Sequence, residues 1–246
     1  MLDYDREAAV YDATRGGVPR AEAAAAAVLG LLPDRARTLL DIGCGTGLVT
    51  ERLRRPGLRV LGCDGSHGMA RKAAGRIGAA VVLGDVRRLP LRDAAVDAVS
   101  AVWLLHLVPA SAAVVAEAAR VLRPGGLFVT TVDKDAGHDV DSDIDAVLRP
   151  HRSFAAASDR AGLIEKYAAA GGLRPAGRAR FAGHGQGRSP SGTAKDLLAG
   201  RFRSWFTDDR DGTTARELAE RLARLPGQDV RRPDPSYALH AFRKDG

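Results

Sequence analysis

Leu39-Leu40-Asp41-Ile42-Gly43-Cys44-Gly45-Thr46-Gly47 decides how the rest of the chain is read. The apolar run from Thr38 to Ile42 reads as a short buried strand, followed by a turn with glycine at alternate positions and a helix starting near Leu48. Glycines at 43, 45 and 47 leave out the Cβ atoms that would hold a ligand off the backbone, and they permit positive φ. Asp41 stands just before the turn, where a carboxylate can receive a donor from a bound cofactor. A dinucleotide fingerprint wants its third glycine at position 48; that position is Leu48.

The rest of the composition bounds what such a site can belong to. The chain has 246 residues, 45% hydrophobic and 27% charged, which fits one α/β domain with an elaboration. No apolar run of about 18 residues occurs, so no membrane span is expected. Residues 1–20 lack an apolar signal-peptide centre, and the two cysteines, Cys44 and Cys63, do not suggest a disulfide framework. We therefore expect a cytoplasmic protein. The net charge of +7 comes almost entirely from arginine interleaved with Asp and Glu. Without a basic block or aromatic interleaving, it does not point to nucleic acid.

Moving outward from the glycine turn, strands and helices alternate. A short helix and turn are expected over 3–18, and a helix over Arg20 to Leu32 with Pro19 in its first turn and Pro33 as its stop. Further strands are expected at Leu58 to Cys63, Ala79 to Leu83, Val96 to Val102 and Leu127 to Val132. Helices lie between them at 48–55, 66–77 and 111–122. Nearly continuous apolar strands with helical crossovers imply a parallel sheet covered on both faces. The pattern then changes. Residues 133–152 read as a solvated acidic loop, 158–170 as a helix, Leu173 to Phe181 as a strand and 183–192 as a mobile Gly/Ser segment. Two amphipathic helices follow, one marked by Leu197, Leu198, Phe202, Trp205 and Phe206, the other by Leu218, Leu222 and Leu225. A final strand runs from Ser236 to Arg243.

The chemistry-bearing stretches fall at the ends of these strands. Asp64 closes the second strand about twenty residues after the first glycines, where an acid can accept both ribose hydroxyls of an adenosyl group. Its alternative role is a helix cap. Asp64-Gly65-Ser66-His67-Gly68-Met69-Ala70 follows the second strand, Gly84-Asp85-Val86-Arg87-Arg88-Leu89-Pro90 the third, and Arg120-Val121-Leu122-Arg123-Pro124-Gly125-Gly126 precedes the fifth. Taken with Asp-x-Gly-x-Gly-x-Gly and Asp97 to Val102, these five motifs resemble, in order across residues 41–132, the class I S-adenosylmethionine (SAM)-dependent methyltransferases. Within them the chain is similar to the type 11 group, which includes ubiquinone-type and natural-product enzymes.

That resemblance implies a Rossmann-like α/β fold of seven strands, in the order 3-2-1-4-5-7-6 with strand seven antiparallel. It implies one methyltransferase domain, with N-terminal cap helices over 1–36 and a SAM-binding core over 37–132. The substrate-side half, 133–246, would carry a small helical insertion at about 193–225 before the last strand. It implies SAM contacts from Tyr11, Arg15, Asp41, Gly43, Cys44, Gly45, Thr46, Gly47, Asp64, Gly65, Met69, Gly84, Asp85, Val86, Val102 and Trp103. Of these, Asp85 and the Val86 amide would meet the adenine and Met69 would pack on its edge. Arg15 would pair with the methionine carboxylate of SAM.

The expected reaction is methyl transfer to an O, N or C nucleophile of a small organic molecule. His106, four positions beyond the fourth strand, is the candidate catalytic base. Tyr11, Trp103, His106, Phe154, Phe202 and Trp205 are candidates for acceptor contacts; the aromatics read equally well as the small core of the C-terminal helices. Residues 1–18 and 183–212 are expected to cover the pocket. No metal ligand set is recognised among the acids of 133–145. Two other readings stay open: an RNA- or protein-modifying methyltransferase, and a nicotinamide-dependent or non-catalytic nucleotide-binding module.

Overall fold

In the computed structural model, which describes residues 4–202, 205 and 212–246, the expected strand forms at Thr38–Ile42 (β1). Its side chains alternate between two cores. Leu40 and Ile42 pack with Val99, Val115 and Phe128 on one face, while Leu39 packs with Val28, Val129 and Leu239 on the other. Burying a leucine side chain contributes roughly 1.5–3 kcal/mol. With both faces supplied this way, the strand needs no polar side.

Three short or medium helices precede β1: Tyr4–Glu7 (α1), Tyr11–Thr14 (α2) and Gly17–Leu31 (α3). The third begins at Gly17, ahead of the expected Arg20, because Gly16 supplies the left-handed turn at φ 83°. After β1 come Leu48–Arg52 (α4), Arg59–Asp64 (β2), His67–Ile77 (α5), Val81–Leu83 (β3), Val96–Ala101 (β4) and Ser111–Val121 (α6). The next strand, Leu122–Val132 (β5), starts earlier than expected. Val96 pairs with Leu122 and Ala98 with Leu127, so Arg123 to Gly126 form a bulge within the strand.

Asp143–Leu148 (α7) corrects the expectation of a solvated loop at 133–152. Ser142 and Asp145 make a reciprocal capping box, and Ile144, Val147 and Leu148 are buried. The acids there cap a helix and pair with arginines: Asp139 with Arg149 and Arg152, and Asp145 with Arg152. The chain continues through Ala161–Ala170 (α8), Leu173–Ala182 (β6), Pro190–Leu198 (α9), Thr213–Ala223 (α10) and Ser236–Lys244 (β7). The segment 183–192 is not loose: the amides of Gly185 and Gly187 donate to Asp234, and α9 already starts at Pro190. The expected helix mark Phe206 lies outside the described residues.

The sheet order is β3-β2-β1-β4-β5-β7-β6. The first five strands pair in parallel, and β7 runs antiparallel to both β5 and β6. This is the order the resemblance implied. The winding direction reverses between β1 and β4, and the crevice outside their carboxyl ends is where such a sheet holds a ligand. Among the described residues, no helix is long and apolar enough to cross a membrane.

Candidate active site

A cavity of about 770 Å³ lies at that crevice. Gly43, Cys44, Gly45 and Thr46 form part of its wall, with Gly43 and Gly45 at φ 65° and 55°. Those values hold the turn open where a side chain would be strained. Gly47 does not reach the wall. It caps α4 at φ 78°, and a Cβ there would sit 3.0 Å from Ala73 Cα on α5. Its glycine serves helix packing.

Asp41 is on the wall but only 3% exposed. Its carboxylate accepts from Thr50 Oγ1 at 2.6 Å and Ser100 Oγ at 2.7 Å, joining α4 to β4 behind the turn. Burial raises its pKa to about 6 against the opposing effect of these two hydroxyls. Asp64 sits at the end of β2, accepting from the Gly45 amide and the Ser66 amide, each at 2.8 Å. Burial also raises this carboxyl, with the backbone N–H groups pulling the other way. The cap of α5 is Ser66, which accepts from the Met69 amide at 3.1 Å. Asp64 therefore ties two cavity turns together and leaves the capping to its neighbour.

Gly65 and the buried Met69 continue the wall, followed by Gly84, Asp85 and Val86. Asp85 is exposed and forms a fork with Arg87, Nη2 to Oδ2 at 2.7 Å, which holds its carboxyl below the usual range. Leu83 beside it is 53% exposed and lies on the wall. Both cysteines are free and buried, and burial pushes the Cys63 thiol up to about 11.

Val102 and Trp103 form the exit of β4. Trp103 has φ 54°, a left-handed conformation that is an outlier for so bulky a side chain. Its amide donates to Thr131 Oγ1 at 2.8 Å, and its ring meets Phe181 and Tyr237 edge-on at 5.4 and 5.5 Å. The Arg20 guanidinium lies over the indole, 3.4 Å from its centroid. Leu104, Leu107 and Val108 supply the apolar part of this end.

The N-terminal helices add to the wall of the cavity, bringing Tyr4, Tyr11, Asp12 and Arg15 to it. They are fastened to the turns at the strand ends: Asp5 accepts from Ser66 Oγ at 2.6 Å and from the Gly68 amide at 2.7 Å. Asp12 accepts from Thr46 Oγ1 at 2.6 Å and pairs with Arg76. None of the described residues of 183–212 reaches the wall, although a Cβ on Gly16 would overlap the His184 carbonyl, so the two expected cover segments touch.

Four expectations fall elsewhere. His106 is half-buried beside the cavity and absent from its wall, its Nδ1 sealed without a partner. Burial of its ring, reinforced by Lys134, pushes its pKa down to about 3. Phe154, Phe202 and Trp205 belong to a separate core with Ile144, Leu148, Leu197, Leu218 and Leu222. There Phe202 stacks on Trp205 at 4.3 Å and Phe154 meets it edge-on at 6.0 Å. The sequence reading also missed Tyr4, Arg20 and Arg87 on the wall. Only Arg20 had a signal: a lone cation at the start of an alanine-rich helix that buries its face.

The methyltransferase-domain family profile matches residues 40–130. A demethylmenaquinone methyltransferase of Thermobifida fusca is 35% identical over 166 residues, covering 57% of this chain and 70% of that protein. The chain belongs to the class I SAM-dependent methyltransferases. Its cofactor is SAM. Seven other curated relatives are matched over only 28–40% of their own length. Among solved structures, a Haloferax volcanii methyltransferase in complex with the activator Trm112 aligns at TM-score 0.61 with 20% identity, covering 100% of both chains. Geranyl diphosphate methyltransferase in complex with SAM aligns at TM-score 0.54 with 20% identity, covering 91% of this chain and 85% of that one. At that identity these two speak for the fold of the enzyme alone.

Proposed function

We propose that the enzyme transfers the SAM methyl group to an O, N or C nucleophile of a small organic molecule. The observation that carries this reading is the 770 Å³ cavity, lined both by the motif residues and by Trp103, Leu104, Leu107 and Val108. Ligand pockets of this kind are concave, largely apolar and carry a few placed polar groups. A chain modifying RNA or protein would need an open face beside the cavity, and here Tyr4 of α1 and Tyr11 and Asp12 of α2 line it.

The residues fit the cofactor. The glycine cradle at 43 and 45 admits close backbone approach, and Asp64 keeps acceptor lone pairs free beside its two backbone bonds. In this reading Asp64 accepts from the ribose, while Met69, Leu83 and Val86 surround the adenine with Asp85 at its rim. Arg15 pairs with the carboxylate, and Asp41 sets the turn from behind. Bound SAM supplies an electrophilic methyl. The protein holds the nucleophile in line and excludes water, and such positioning can account for much of the acceleration. Among the described residues no histidine lines the cavity, so we assign no imidazole base.

Calorimetry tests the assignment. Asp64→Ala should lose charge-assisted bonds of about 1.5–3 kcal/mol each, weakening SAM by at least tenfold. Unchanged affinity in a folded Asp64→Ala variant would remove Asp64 from the cofactor site. A metabolite screen for methyl-sized mass gains then identifies the acceptor; methylation of bulk RNA or protein instead would overturn the small-molecule reading.

A further inference from the structure

Carboxylates Asp41, Asp64 and Asp85 line the motif end of the cavity, where Asp85 is forked with Arg87. At the Trp103 end the wall carries a buried arginine without such a partner. Arg20 is on the wall, only 6% exposed, and has no carboxylate partner among the described residues. Its Nη1 donates to the Arg15 carbonyl at 2.9 Å, while its Nε is sealed from solvent without a partner. Stacking on Trp103 holds the guanidinium in place but satisfies none of its N–H groups. The Trp103 Nε1 beside it is likewise sealed and unpaired.

Behind this wall stands a second cation of the same kind. Arg188 is half-buried with Nη1 sealed, and no carboxylate pairs with it among the described residues. Its guanidinium packs on Phe202 and Trp205 at 5.1 and 4.7 Å. Arg20 and Arg188 flank Tyr237, whose hydroxyl lies 3.1 Å from His138 Nε2. The nearby acids are already engaged: Asp135 with Lys134 and the Trp205 indole, and Asp145 with Arg152 and its helix cap. Sealed N–H groups and unpaired buried cations are costly unless a partner arrives.

We infer that the acceptor is an organic anion whose carboxylate or phosphate is taken by Arg20, with Arg188 supporting the same positive end. This rests on the small-molecule reading above and narrows it. The apolar body of the acceptor lies along Trp103, Leu104 and Leu107. An arginine is suited to this because its planar fork can give two parallel N–H bonds to one acid group.

The test uses enzyme loaded with S-adenosylhomocysteine, so failure of the cofactor to bind registers first and separately. Benzoate, phenylacetate, octanoate and phenyl phosphate are titrated by calorimetry, each against its uncharged methyl ester. At least one acid should bind tenfold or more tightly than its ester. Arg20→Gln should reduce that preference to below threefold while changing S-adenosylhomocysteine affinity by less than threefold. Arg188→Met should weaken the preference and hold or raise the melting temperature of the ligand-free protein, because it removes an unpaired cation. Equal binding of acids and esters, no acid bound, or a preference surviving Arg20→Gln overturns the proposal. A large loss of cofactor affinity in Arg20→Gln also overturns it, by assigning Arg20 to the cofactor. A melting temperature lowered by Arg188→Met with the preference intact overturns the part given to Arg188.

Discussion

Asp41 and His106 show how one buried group can oppose another. The folded-state pKa of Asp41 is raised to about 6, so its contribution to stability is present below 3.8 and is lost as pH rises through 6. Two units correspond to about 3 kcal/mol. Denaturant unfolding between pH 4 and 7 should therefore show Asp41→Asn losing less stability across that window than the wild type; parallel curves would refute the assignment. His106 has the opposite sign. Its pKa is lowered to about 3, so its contribution is present above 6.5 and is lost as pH falls toward 3. His106→Gln should flatten the acid limb of the same curve. The glycine turn and the place of Asp64 at the end of β2 were legible in the sequence, because a tight turn leaves few residue types available and the strand pattern sets its own ends. The engagement of Asp41 was not, since its partners Thr50 and Ser100 lie 9 and 59 positions away.

The helix α7 was hidden for a related reason. Its segment carries so many acids that composition reads as a solvated loop, yet Asp145 is 2% exposed and serves as a cap. The signal was there in Ser142-x-x-Asp145, one residue type away from the usual Ser-x-x-Glu capping box. Removing the cap in Ser142→Ala should cost about 1 kcal/mol. Asp145→Ala should cost more, about 3–5 kcal/mol, because it leaves the buried Arg152 guanidinium without one of its two acids. Urea midpoints read both, and equal losses would mean that Asp145 acts only as a cap. For want of this element the aromatics Phe154, Phe202 and Trp205 stayed open between the pocket and a core of the C-terminal helices. They are the ring cluster on which α7, α9 and α10 close.

For the whole molecule, alternating strands and helices announced a parallel sheet, but only the resemblance supplied the antiparallel β7. Nothing in Ser236–Lys244 states its direction; its pairing with β5 and β6 is a long-range outcome. The place of Arg20 against Trp103 on the cavity wall was likewise invisible in an evenly interleaved sequence. Because α1 and α2 roof that cavity, bound S-adenosylhomocysteine should slow hydrogen exchange of residues 4–15, and unchanged rates there would show that the roof is independent of the ligand. The roof also has a consequence in time. Asp12 fastens α2 to the glycine turn through Thr46 Oγ1 and Arg76, a latch whose two ends, Asp12 and Thr46, both lie on the cavity wall. A latch of this sort acts on arrival and departure alike. In stopped-flow fluorescence, Asp12→Ala should speed both uptake and escape of S-adenosylhomocysteine while leaving their ratio within about threefold. Turnover limited by product escape would then quicken when the latch is cut.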